Sequence, residues 1–180
     1  MDESSDLLVE LQSLIGVFFG DVDKLGEFRA VSADEISEPQ RSLLNHDMHM
    51  TVTVEKFHSS LVDVEVLDKN RDKNFYTREI LLRRQSDKAV VQYGIVRLNF
   101  DFLDDNVVAE IEAQETPLGR ILISHNVLRR VKLLSLYEIK AGQRLSEFLR
   151  LSDEQKCYGR TALIFCDDNP AIELLEVVCL

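Results

Sequence analysis

Two ionisable residues lie inside strongly apolar segments of this chain. Glu176 belongs to the segment Glu-Leu-Leu-Glu-Val-Val at 173–178, and Arg78 belongs to Tyr-Thr-Arg-Glu-Ile-Leu-Leu at 76–82. A carboxylate removed from water is a candidate general acid or base, and a guanidinium can bind both oxygens of a carboxylate. Each residue also has a simpler interpretation, as a strand side chain that faces water. The sequence therefore predicts two candidate site residues and leaves both alternatives open.

Other residues with chemical potential give weaker signals. His46, Asp47 and His49 could be metal ligands, but no further His-rich motif accompanies them. Ordinary polar roles are therefore favoured, and we expect no metal and no cofactor. Gly119 marks either a close approach of the backbone to a ligand or a tight contact between helices. The residues alone favour the helix contact.

Composition limits the classes of function. The chain has 180 residues, 45% of them hydrophobic, and a formal net charge of −11, which argues against nucleic-acid binding. An anionic ligand would need a local group of arginines. No apolar run approaches the ~20 residues that span a bilayer, and the acidic N-terminus is unlike a secretory signal, so we expect no membrane association and a cytoplasmic location. The three cysteines, Cys157, Cys166 and Cys179, are expected to be buried thiols.

Apolar spacing predicts the elements in the first half of the chain. Residues 6–19 have helical spacing, and a loop over 20–42 leads into a short helix at 39–45. Alternation with a period of two predicts four strands, which form two antiparallel hairpins. Their ranges are 50–55 with 61–67, joined at 58–60, and 75–84 with 89–99, joined at 85–88.

The second half is predicted to continue in the same style. Helices are predicted at 101–114, at 116–125 with Thr116 and Pro117 at its start, and at 145–151. Residues 128–139 are rich in Val, Leu and Tyr, and a last hairpin joins 158–166 to 171–179. Local hairpins favour antiparallel pairing. We therefore expect one α+β domain over 1–180, with a single antiparallel sheet of about six or seven strands and helices packed around it.

Four stretches in this order resemble the chorismate lyase family. Each stretch alone is weak, whereas the ordered set is more specific. They are Met48-His49-Met50-Thr51, Arg78-Glu79-Ile80-Leu81-Leu82, Thr116-Pro117-Leu118-Gly119-Arg120, and Tyr158-Gly159-Arg160 followed by Glu176. The resemblance implies a ligand enclosed beneath helical flaps and a lyase that converts chorismate to 4-hydroxybenzoate and pyruvate without a cofactor.

The resemblance also implies roles for individual residues. Arg78 would pair with the ring carboxylate, and Glu176 would meet the ring hydroxyl and act as the general acid or base. Backbone groups near Leu118, Gly119 and Met50 would complete the enclosure, with the helix at 116–125 over the mouth of the cavity.

The fourth strand departs from the family pattern. In the fourth strand, some members of the family have the sequence Gly-Arg-Thr. This chain has Gly94-Ile95-Val96 there, with Arg97 two positions beyond Ile95. Because a shift of two keeps the face of a strand, Arg97 is expected to bind the second carboxylate in place of the missing arginine.

Two other functions stay open. The same fold serves as the effector-sensing domain of some transcription regulators, where an aromatic acid or similar small molecule is bound and not transformed. A different reaction on chorismate or on another aromatic acid is the third interpretation, because fold alone does not determine function. In all three cases the expected partner is a small molecule.

Overall fold

A seven-stranded antiparallel sheet forms the centre of the molecule. The computed structural model describes residues 11–127, 129–152 and 155–178. The strands are β1 (Gly26–Val31), β2 (Val62–Asp72), β3 (Phe75–Arg84), β4 (Val90–Asn99), β5 (Arg129–Ala141), β6 (Cys157–Cys166) and β7 (Asn169–Val178). Their order across the sheet is β1-β5-β6-β7-β4-β3-β2, and every neighbouring pair is antiparallel. The predicted α+β fold is therefore confirmed.

Helices pack on both faces of this sheet. Within the described residues they are α1 (Leu11–Phe19), α2 (Gln40–Leu44), α3 (Met50–His58), α4 (Asp105–Ala113), α5 (Leu118–Ser124) and α6 (Gln143–Leu149). The apolar side chains of α1 and α6 form one core with one face of the sheet. The side chains of α2, α3, α4 and α5 form two further cores on the other face. The candidate site lies on this second face.

The predicted strand at 50–55 is wrong, because these residues form helix α3. Met50, Val52 and Val54 alternate with polar residues, but Met50 and Val54 are also four residues apart and share one side of a helix. Those two are buried, whereas Val52 is 43% exposed. The predicted hairpin at 58–60 is likewise absent. There α3 ends at Ser59, in a left-handed conformation, before β2 begins.

Strand β1 was missed, because the sequence predicted a loop over 20–42. It is an edge strand that pairs only with β5, and most of its residues are partly or fully exposed, so it lacks a clear apolar alternation. Gly26 begins it with φ +156°, and a Cβ there would lie 2.6 Å from the Lys140 carbonyl oxygen. That backbone contact requires glycine.

The other predicted elements differ mainly at their ends. Helix α1 is described from Leu11, and the predicted residues 6–10, like 128 and 179, lie outside the described residues. The predicted helix at 101–114 is a 3₁₀ turn at Phe100–Phe102 followed by α4. Cys157 and Cys166 are buried, as expected, and burial raises the pKa of Cys166 to about 11.

A buried carboxylate fixes α6 to the sheet on the face away from the candidate site. Glu79 is fully buried and accepts a hydrogen bond from the Tyr93 hydroxyl at 2.8 Å. Arg144 of α6 donates from Nε and Nη2 to its two oxygens at 3.0 and 2.5 Å. Burial, followed by the nearby Glu79 charge, raises the pKa of Tyr93 well above its ordinary value. The carboxylate therefore depends on Arg144 for its charge partner.

We expect Arg144→Met to lower the free energy of unfolding by about 3–5 kcal/mol, because it leaves the Glu79 charge buried without its cation. Chemical denaturation of the purified protein measures this. The matched control is Lys140→Met, which breaks an ion pair with Glu27 whose side chains are 78% and 72% exposed. Such a pair contributes about 0–1 kcal/mol. Equal losses in the two variants would contradict the assigned role of Glu79.

Candidate functional site

Strand register brings three ionisable side chains to one face of the sheet. Glu176 of β7 pairs with Arg160 of β6 on one side and with Gly94 of β4 on the other. Arg78 of β3 pairs with Val96, two residues from Gly94. Because side chains alternate along a strand, these positions all face α3, α4 and α5. Arg78 and Glu176 therefore share a covered face of the sheet.

Arg160 ties the covering segment to the sheet. Its guanidinium is fully buried, and Nε donates to Glu176 Oε2 at 2.7 Å. Its terminal nitrogens donate to the carbonyl oxygens of Leu44, His46 and Met48 at 3.3, 2.8 and 3.2 Å. These carbonyls belong to the last residue of α2 and to the segment that connects α2 to α3. The ion pair therefore positions the start of α3 and satisfies the charge of Glu176.

Arg78 is as deeply buried as Arg160 but has no carboxylate partner among the described residues. It is fully buried, and Nη1 donates to the Ile111 carbonyl oxygen of α4 at 3.4 Å. Among the described residues, Nε and Nη2 have no hydrogen-bond partner. Burial lowers the pKa of Arg78 from its ordinary value, yet a guanidinium stays protonated in proteins. A buried cation without partners is costly, so this position favours an anion.

A small cavity lies beside Arg78, between the sheet and the two covering helices, α3 and α5. Its volume is about 30 Å³, which accommodates a water or two but no ring. Met50, Leu118, Gly119 and Glu176 line it, whereas Arg78 lies next to the lining residue Val96. A ligand of drug-like size needs at least about 300 Å³. Binding of such a ligand therefore requires the covering helices to separate.

The covering helices also contact each other closely. A Cβ at Gly119 of α5 would lie 3.0 Å from Thr51 Oγ1 of α3, so glycine permits the approach. This is the tight helix contact that the sequence allowed, and Gly119 faces the cavity as well. Arg120 of α5 also forms an ion pair with Glu55 of α3. The two helices therefore cover the cavity as one unit.

The predicted role of Arg97 is wrong. Val96 faces the cavity, so its neighbours Ile95 and Arg97 both point to the opposite face of the sheet. There Arg97 forms an ion pair with Glu173 and donates to Ser13 Oγ at 3.0 Å. Arg97 does lie on the same face of the sheet as Ile95, because the two are two residues apart. That face is opposite to the one that carries Glu176. Arg97 therefore supplies no second carboxylate site in this cavity.

Two cavity residues were not singled out from the sequence. Arg160 was quoted in a motif without a role, although the hairpin between β6 and β7 makes it the cross-strand partner of Glu176. Gln92 is polar within the apolar strand β4, is buried, and lines the cavity. A polar residue inside an apolar strand is the same signal that identified Glu176. It was present in the sequence for Gln92 too.

His49 lies at the start of α3, at the edge of the cavity. Its Nε2 accepts a hydrogen bond from Arg129 Nε at 2.6 Å. Burial, followed by the charges of Arg129 and Arg160, lowers the pKa of His49 to about 4. Neutral imidazole can accept this bond, whereas imidazolium cannot. In the described part of the chain no group of three His, Cys, Asp or Glu side chains is placed to hold a metal ion.

Comparisons with known proteins give structural likeness alone. No protein family and no curated protein matches the sequence. The crystal structure of PhnF from Mycobacterium smegmatis aligns with a TM-score of 0.55 and 12% identity, over 71% of this chain and 62% of that one. The separately solved effector domain of PhnF aligns with a TM-score of 0.52 and 10% identity, over 73% of this chain and 88% of that one. The gene product SA0254 from Staphylococcus aureus aligns with a TM-score of 0.50 and 12% identity, over 65% of this chain and 81% of that one.

The likeness is one of fold. This chain has the chorismate lyase-like fold that the effector domain of PhnF also has. It spans less than two thirds of the length of PhnF itself. No helix of the described residues is long and apolar enough to cross a membrane.

The same substitution at the two buried arginines should have different effects. We expect Arg160→Met to lower the free energy of unfolding by about 3–5 kcal/mol, because the Glu176 charge loses its partner. Arg78→Met removes a buried charge that has one long hydrogen bond and no counter-charge, so stability should stay within about 1 kcal/mol of the parent or rise. Urea denaturation of both variants measures this. A loss at Arg78→Met as large as that at Arg160→Met would show that Arg78 is structurally paired.

Acid should weaken the attachment of α3 through His49. The pKa of His49 falls from 6.5 in the unfolded chain to about 4 in the fold. Between these values the unfolded chain binds more protons, so the free energy of unfolding decreases as the pH falls from about 6.5 to about 4. We expect His49→Gln to show a shallower decrease over this range in urea denaturation. Parallel curves for variant and parent would contradict the assignment.

Proposed function

We propose that this chain binds a small carboxylic acid beneath the covering helices and acts as a binding or sensing domain. The observation that carries the proposal is the buried Arg78 guanidinium, whose Nε and Nη2 have no partner among the described residues. A carboxylate matches two such donors in geometry and in charge. The acid would supply the counter-charge that the protein leaves out.

Charge balance at the site supports an anion. The negative charge of Glu176 is already matched by Arg160 at 2.7 Å. The charge of Arg78 is therefore the unmatched one of these three, although the whole chain carries −11. Because Arg78 is shielded from solvent, its interaction with a bound anion is much less screened than one at the surface. A local cation of this kind can bind an acid despite the acidic background.

The closed cavity supports sensing over simple storage. A ring cannot enter a space of about 30 Å³, so a bound acid would select an arrangement with α3 and α5 further from the sheet. A ligand shifts a conformational equilibrium by its differential affinity for the two states. The shared fold with the effector domain of PhnF favours this interpretation by analogy.

Chorismate cleavage is the second candidate, favoured by the burial of Arg78 and Glu176 on one face of the sheet. Two contacts count against it. Glu176 Oε2 is engaged by Arg160, and Arg97 lies on the opposite face of the sheet. Chorismate is a dianion, whereas Arg78 is a single fully buried cation without a carboxylate partner among the described residues. Binding without turnover is therefore the better supported function.

Arg78→Met should abolish most acid binding. Loss of one partner of a buried charge pair costs about 2–5 kcal/mol, so affinity for 4-hydroxybenzoate or chorismate should fall at least about 30-fold. Isothermal titration calorimetry measures the affinity. Arg97→Met is the matched control, since it removes an arginine on the other face and should leave binding unchanged. Failure of the parent to bind these acids, or equal binding by Arg78→Met, would overturn the proposal.

Turnover separates the two candidates. Purified protein incubated with chorismate, followed by chromatography, should return the substrate unchanged beyond its spontaneous decay. Equal amounts of 4-hydroxybenzoate and pyruvate would instead support the lyase. In that case Glu176→Gln should lower the rate by about 10²- to 10⁴-fold, as expected when a general acid or base is lost.

A further inference from the structure

Gln92 is a second buried polar group with an unused bonding atom. It is 3% exposed on β4, and its side chain lines the same cavity as Glu176. Among the described residues, its Oε1 has no hydrogen-bond donor. A buried acceptor of this kind lowers stability relative to a paired one. A residue that lowers stability inside a ligand cavity is expected to serve the ligand.

Gln92 and Arg78 are separated along the covered face. Arg78 pairs with Val96, and Gln92 lies four positions before Val96 on the same strand and the same face. Four residues correspond to about 13 Å along a strand. Gly94 lies between them, and the Ile80 side chain packs over it, 3.3 Å from the position that a Cβ would take. A single ring with a polar group at each end, hydrogen-bonded at both ends, has a length of this order.

We infer that the bound acid carries a hydrogen-bond donor on the side away from its carboxylate, and that Gln92 selects for that donor. This inference rests on the proposed function, in which Arg78 holds the carboxylate. The Gln92 carbonyl can accept from a hydroxyl or an amine, whereas a methyl group at the same place would leave Oε1 unpaired. The ligand class is therefore a hydroxylated or aminated cyclic acid, and an acid with a purely apolar far side is discriminated against.

Gln92 Oε1 is the buried side-chain oxygen that has no hydrogen-bond partner among the described residues, whereas the other acceptor of this cavity, Glu176, lies across from Gly94, two residues further along β4. Arg160 offers only donors, and these already bond to Glu176 and to main-chain carbonyls. Glu176 has one oxygen committed to Arg160. The side chains around Gln92 include the apolar Ile80 and Leu82, which lie on the same face of β3 and line the cavity. A ligand donor that reaches this end therefore meets Oε1 of Gln92.

The first measurement is thermal unfolding of the ligand-free protein. Gln92→Met keeps the length of the side chain and removes the unpaired acceptor, so the midpoint should rise by roughly 2–4 °C. The matched control is Gln85→Met, which removes an exposed amide that donates to Asp63 Oδ1 at 2.6 Å and should not raise it. A fall of the midpoint in Gln92→Met would show that Oε1 has a structural partner, and would overturn the inference.

The second measurement is calorimetric titration with 4-hydroxybenzoate, 3-hydroxybenzoate and 4-methylbenzoate. The parent should bind at least one hydroxy acid about tenfold more tightly than the methyl acid, since the mismatch leaves a buried acceptor unpaired. Gln92→Met should bind both kinds with similar affinity, and Gln85→Met should keep the preference. An unchanged preference in Gln92→Met, with binding still lost in Arg78→Met, would overturn this inference alone. Binding of no acid by the parent would overturn the proposed function as well.

Discussion

The ion pair between Arg160 and Glu176 is the interaction on which the covered face of the sheet depends. It joins neighbouring strands β6 and β7, and the same guanidinium binds three carbonyl oxygens of the segment that leads into α3. Buried ion pairs seldom add much net stability, but removal of one partner is costly. The pair therefore acts chiefly to specify geometry. It determines where α3 begins and so how the cavity is closed.

Two arginines of the same burial thus have different uses. Arg160 has a carboxylate and a set of carbonyls for its donors, whereas Arg78 has one long contact to Ile111 and two nitrogens without partners among the described residues. The difference arises from register, since Glu176 lies directly across from Arg160 and apolar Val96 lies across from Arg78. Arg160 is therefore fully paired within the protein, whereas two nitrogens of Arg78 stay available for a ligand.

Much of this site could be predicted from the sequence, because strand alternation is a local property. The period of two placed Arg78 and Glu176 correctly within apolar strands, and turn residues located the hairpins that align them. Relative facing between strands is set by register, which the sequence of one strand does not contain. Arg97 was therefore assigned to the wrong face. Met50 and Val54 were misassigned because spacing of four satisfies both a strand and a helix, and burial against α2 and the sheet decided for the helix.

The small volume of the closed cavity has a kinetic consequence. If a ring can enter only after α3 and α5 separate from the sheet, the rate of association cannot exceed the rate of that separation, however high the ligand concentration. Such helix displacements occur on the microsecond to millisecond scale or slower. The observed binding rate would then level off with concentration, and the Arg160 contacts to the segment before α3 would set the plateau. Residence time and response speed would thus be properties of the cover, while affinity for the acid would be a property of the sheet beneath it.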